Sequence, residues 1–265
     1  MRIALLVFTL LVLAVVYVPL GLVVLNSFNV DKSFGWPPAG LTTRWWNVAW
    51  HSGGARSALE VSVLVAIAAT VVSLVLGTLA AMALSRYRFF GRGTVNLMVI
   101  LPIALPGIVT GLALNNAFRT WFGWELGFGT IVVAHATFCI VTVFNNVQAR
   151  LRRMGNSLEE ASMDLGAGPL TTFVRVTLPQ FRSALLAGGL LAFGLSFDEI
   201  IVTTFTAGPH QQTLPLWIFN NLFRPNQAPV VNVVAAVLVL LSVVPIWLAQ
   251  RISGTTGETV AGGAR

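Results

Sequence analysis

Hydrophobic positions in this chain come in long blocks rather than in short periodic stripes. Residues 3–25 form an uncharged apolar run, long enough to cross a hydrocarbon core that takes about 20 helical residues. Comparable blocks occupy 58–84, 94–114, 129–147, 184–205 and 230–248. Backbone groups inside a bilayer have to be satisfied within the segment, so the pattern predicts an all-α membrane protein with six transmembrane helices in one domain over residues 1–265. The first run exceeds a signal-peptide core of ~7–15 residues and no A-x-A site follows it, so it is expected to remain as a span. The connectors are aromatic and proline-rich on one side, with Trp36-Pro37-Pro38, Arg44-Trp45-Trp46, Trp121 and Trp124 suited to a membrane interface. Residues 214–223 form an amphipathic piece expected along the same outer interface.

Several blocks are interrupted in ways that carry chemistry. Pro102 and Pro106 in the third should kink it, and a kinked helix with freed carbonyls either lines a pathway or bends for packing alone. Gly77, Ala80 and Ala81 in the second make a surface that lets another helix approach closely. In the fourth, His135 and Cys139 share a helical face, yet no further ligand completes a metal set. The fifth carries Asp198 and Glu199, expensive in lipid and therefore expected to face protein, water or a cation. A transient cation site and a structural pairing within the bundle both satisfy that requirement.

Composition agrees, with 56% hydrophobic and 9% charged residues, far from a soluble domain. The net charge of +7 does not point to nucleic acid, because its cations lie in short loops between the blocks. With the N-terminus inside, eleven arginines fall on the inner side and five cations (Lys32, Arg44, Arg56, Arg119, Arg224) on the outer. That bias predicts both termini in the cytoplasm. Cys139 is the single cysteine, so no internal disulfide is available. Lys32 is the single lysine and follows Asp31, which excludes a Walker A phosphate loop. An intramembrane serine protease is disfavoured too, since the residues around Ser196 lack a G-x-S-x-G elbow.

Within the inner loop 150–182, residues 157–179 are polar and punctuated. Ser157 and Glu160 have capping-box spacing, and Leu158, Ala161 and Leu165 share one helical face. Gly166 is placed to end a first helix at positive φ, Gly168-Pro169 to start a second, and Pro179 to stop it.

Glu160, Ala161, Ser162, Gly166, Val176, Leu178 and Pro179 also fit E-A-A, three residues, G, nine residues, I-x-L-P, with Ser162 for Ala and Val176 for Ile. This stretch resembles the cytoplasmic EAA loop of permease subunits from binding-protein-dependent ABC importers. LPIALPG, SFDEIIVTTFTAG, TLPLWIF and RPNQAPVVN extend the resemblance to spermidine/putrescine permeases. The resemblance implies a type I importer permease fold, a bacterial inner-membrane location and a non-catalytic role. Glu159, Glu160, Ala161, Ser162, Asp164, Leu165 and Gly166 would then couple to an ATPase, with Pro102, Pro106, Asp198 and Glu199 as pathway candidates. It implies as partners a second permease subunit, two cytoplasmic ATP-binding subunits that hold ATP and magnesium, an extracytoplasmic solute-binding protein and lipid. No cofactor is expected in this chain. The alternatives are a permease for ferric iron, sulphate or an amino-acid-like solute, and an ion-coupled secondary transporter.

Overall fold

The computed structural model describes residues 2–32, 36–155 and 157–241. Those residues are overwhelmingly helical, and they fall into two compact units, residues 57–216 and the chain on either side of that stretch.

In the flanking unit, α1 (Arg2–Asn26) has almost every side chain exposed from Ile3 to Leu20. A helix that is apolar all round and covered by nothing belongs in lipid. After it, α2 (Arg44–Trp50) docks on the turn that ends α1: the Trp45 indole donates to the Asn29 carbonyl at 2.9 Å, and Phe28 stacks on Trp46 at 5.1 Å. The amphipathic piece is helical as α11 (Leu214–Asn221), and α12 (Ala228–Leu241) covers the first part of the expected sixth span. The remainder of that span, 242–248, lies outside the described residues.

The central unit holds most of α3 (Gly53–Arg86), followed by α4 (Arg92–Ala104), α5 (Gly107–Asn116) and α6 (Phe128–Leu151). Beyond them come α7 (Ser157–Asp164), α8 (Pro169–Thr172), α9 (Leu178–Phe197) and α10 (Ile201–Thr206). The most enclosed of these is α6, because glycines on both neighbours let it in. At Gly77 of α3 a Cβ would stand 2.9 Å from the Ile140 carbonyl oxygen, and at Gly188 of α9 it would stand 3.3 Å from the Val143 Cα. The close-approach surface around Gly77 therefore serves α6. Around this seam Ala81, Leu84, Val143, Phe144, Val147, Leu151, Phe181 and Ala192 form the core.

Three features depart from the sequence reading. The third block breaks completely: Pro106 forces Leu105 into an extended conformation (φ −82°, ψ 142°), and the helix direction bends by 107° between the two halves. Pro102, by contrast, is accommodated inside α4. The fifth block does not run continuously over 184–205, since α9 stops at Phe197 and the chain restarts helically at Ile201. Lastly, Pro179 does not stop the helix begun at Pro169. Residues Phe173–Thr177 form a π-helical stretch, Leu178 N–H reaching the Phe173 carbonyl, and α9 continues with Pro179 in its first turn, where a missing N–H costs little.

Candidate functional site

The first candidate region is the loop 157–179. Helix α7 ends in a Schellman motif: Gly166 N–H donates to the Met163 carbonyl at 2.9 Å and Ala167 N–H to Ser162 at 3.1 Å, with Gly166 at φ +84°. Gly168 is extended and Pro169 opens α8, so the helix, glycine corner and helix are present as expected. The capping pair is not. Ser157 is already helical, and neither limb of a Ser157–Glu160 exchange forms.

What holds α7 instead is its inward side. Glu159 Oε1 accepts from Arg86 Nη2 at 2.5 Å and from the Thr177 hydroxyl at 2.8 Å, while the Ser162 and Thr172 hydroxyls share a 3.0 Å hydrogen bond. Arg86 is the last residue of α3, and Thr177 lies in the π stretch before α9. Glu159 thus ties the loop to two helices that enter the apolar core. Its side chain is 17% exposed, so within this chain it is a tether rather than an outward-facing group.

The outward side is different in kind. Glu160, Ala161, Asp164 and Gly166 are exposed, as are Leu158, Met163 and Leu170, and Leu165 is 90% exposed. The shared face of Leu158, Ala161 and Leu165 is therefore left exposed by the described residues.

The second candidate region lies at the far end of α9. The helix is capped at Asp198, and Glu199 Oε1 accepts the Val202 N–H at 2.8 Å, filling the start of α10. Across the break stands His135 of α6, fully buried, with Nδ1 2.8 Å from the Ser196 hydroxyl and Nε2 2.8 Å from the Thr203 hydroxyl. One ring therefore clasps the last turn of α9 and the first turns of α10. The sequence places His135 on one helical face with Cys139 and offers it as the histidine for a pair with Ser196; the Ser196 contact forms, while the Cys139 thiol donates to the Ala192 carbonyl at 3.3 Å.

The two broken helices meet. On α5, Gly107 lies against Ile201 and Gly111 against the Phe205 ring, where a Cβ would stand 2.7 Å away, and the Asn115 amide donates to the Phe205 carbonyl at 2.5 Å. The breaks at Pro106 and at 198–200 are thus brought side by side, though more than ninety residues separate them. Of the four pathway candidates, Pro106 and Asp198 are exposed, while Pro102 and Glu199 are half-buried.

Residues 73–254 match the family described as "Binding-protein-dependent transport system inner membrane component". The chain is 37% identical over 229 residues to the putrescine transport system permease protein PotI of Escherichia coli (strain K12), covering 84% of this chain and 80% of that protein. It is 33% identical over 250 residues to the spermidine/putrescine transport system permease protein PotC of the same organism, covering 92% and 94%. In structure it is similar to a bacterial ABC transporter involved in the import of the acidic polysaccharide alginate, with a TM-score of 0.70, 15% identity and coverage of 96% and 95%.

Proposed function

Because the chain belongs to the family of binding-protein-dependent transport system inner membrane components, we propose that it is the permease subunit of an ATP-driven importer of polyamines, putrescine or spermidine. The substrate assignment draws on the relatives similar to it over most of its length. The coupling role draws on one observation above others: α7 is anchored on its inner side by Glu159 and bare on its outer side at Leu158, Ala161 and Leu165.

In this reading the chain pairs with a second permease subunit in the bacterial inner membrane, with both termini cytoplasmic. Two cytoplasmic subunits bind ATP and magnesium, and an extracytoplasmic protein delivers the solute. The chain itself is not an enzyme. Closure of the ATP-binding subunits pushes on the outer face of α7, with Glu160 and Gly166 at the contact. Glu159 passes the displacement to Arg86 at the end of α3 and to Thr177 at the root of α9. With a rise of about 1.5 Å per residue, the 20 residues of α9 carry that motion roughly 30 Å, to the break at 198–200 beside Pro106. There Glu199 holds the helix start, and the exposed Asp198 carboxylate is the group that meets a passing cation.

Reconstitution of the four-subunit complex with its binding protein in proteoliposomes tests this. Labelled putrescine should enter only with ATP, and vanadate should block entry. Gly166→Leu and Glu160→Lys should leave insertion intact and ATP hydrolysis running while uptake fails; normal uptake by both variants would sink the coupling role. Uptake of sulphate or ferric iron in place of putrescine would transfer the assignment to another solute. Uptake that an uncoupler abolishes and vanadate spares would identify an ion-coupled carrier.

A further inference from the structure

Leu84, Arg92, Gly93, Asn96, Gln148 and Arg152 line a cavity of about 230 Å³ where the ends of α3 and α6 meet the start of α4. Its polar wall is two guanidinium groups and two carboxamides, and no carboxylate contributes to it. Among the described residues the ion pair is that of Arg86 with Glu159, so neither Arg92 nor Arg152 is neutralised. Gln148 is only 9% exposed, and its amide reaches Asn96 Oδ1 at 3.5 Å, so the floor is built rather than incidental. At Gly93 a side chain would project into open space, which leaves that wall low.

We propose that this cavity binds the phosphodiester headgroup of an anionic phospholipid of the cytoplasmic leaflet. The reading goes beyond transport and rests on the membrane-spanning character of the chain and on the cytoplasmic orientation proposed above. Arg92 opens α4 and Arg152 directly follows α6, so both stand where apolar helices leave the hydrocarbon. The cavity is smaller than the ~300–1,000 Å³ typical of sites that enclose a whole small molecule, so it suits a headgroup whose remainder lies outside. A free inorganic phosphate shares this anionic chemistry, and displacement by it is the arm of the test that separates the two sources. Basic pockets between membrane helices on the cytoplasmic side take lipid headgroups by this combination of charge and depth.

The test is native mass spectrometry of the assembled complex in mild detergent, titrated with phosphatidylglycerol or with phosphatidylcholine of the same acyl chains. The wild-type complex should retain phosphatidylglycerol in preference. Arg92→Gln and Arg152→Gln should each lower that retention about fivefold, as expected for one basic residue near an anionic surface. Arg88→Gln, an exposed arginine outside the cavity, should leave it unchanged. Equal retention of the two lipids by the wild type, which needs no variant to fold, would overturn the proposal, as would undiminished retention in both cavity variants. Displacement of phosphatidylglycerol by millimolar inorganic phosphate would assign the cavity to a free anion instead.

Discussion

Glu159 and Arg86 form a largely buried pair, with side chains 17% and 18% accessible. Glu159→Gln removes the charge but keeps an oxygen to accept from Arg86 and from the Thr177 hydroxyl, so the loop should stay in place. Its mechanical role is separable from its stabilising one. We predict that Glu159→Gln raises the ATP hydrolysed per solute imported several-fold while the complex assembles normally. Exchanging the charges, Arg86→Glu with Glu159→Arg, should recover part of the coupling; a double variant as uncoupled as the single would remove the tether from the mechanism. His135 behaves in the opposite way, because its contribution is to cohesion. Replacing it by Leu strands the buried Ser196 hydroxyl and removes one of the two partners of the Thr203 hydroxyl, which keeps its bond to the Glu199 carbonyl, at a cost of about 1–2 kcal/mol for groups inside a membrane bundle. The expected readout is a drop of several degrees in the melting temperature of the detergent-purified complex, with His135→Asn, which keeps donors and an acceptor, falling in between. Neither role was legible in sequence. A charge's partner 73 positions away, or a histidine's 61 and 68 positions away, leaves no local spacing to read.

At the scale of elements, local chemistry decided some breaks and distant packing decided others. Pro106 removed an N–H and restricted Leu105, and the helix ended there, where the motif had indicated a kink. The break at 198–200 has no proline or glycine to announce it; it is held open by Glu199 on the Val202 amide and by His135 from another helix. Pro179 misled for a related reason, since a π stretch absorbed it and kept the rod intact. The contact between α5 and α10 is what joins the two breaks. We predict that Gly111→Val overpacks it against Phe205, destabilising it by about 1–3 kcal/mol and abolishing uptake, and that Phe205→Ala added to Gly111→Val restores part of the uptake. Gly166 fails differently: a Cβ there would meet no atom, so the roughly 1–2 kcal/mol cost of Leu is all backbone, and Gly166→Asn should uncouple less than Gly166→Leu.

For the whole molecule, the basic clusters after α3 and after α6 are brought to one end together with the loop. Arg86 reaches Glu159, and Arg92 and Arg152 share a cavity. That convergence agrees with the charge bias that assigns the loop to the cytoplasm. In whole cells a membrane-impermeant maleimide should label Glu125→Cys and not Leu165→Cys, and in inverted vesicles the reverse; the natural Cys139 is fully buried and should stay silent. By itself the sequence determined the membrane as solvent, the apolar helices and the helix, glycine corner and helix of residues 157–179, because hydropathy and glycine-proline punctuation act within a few residues of where they are written. Only the tertiary structure decided which face of α7 is tied and which is bare, and that two broken helices meet under the clasp of His135. Those facts depend on side chains brought together from distant segments, and such pairings come into being only when the helices pack.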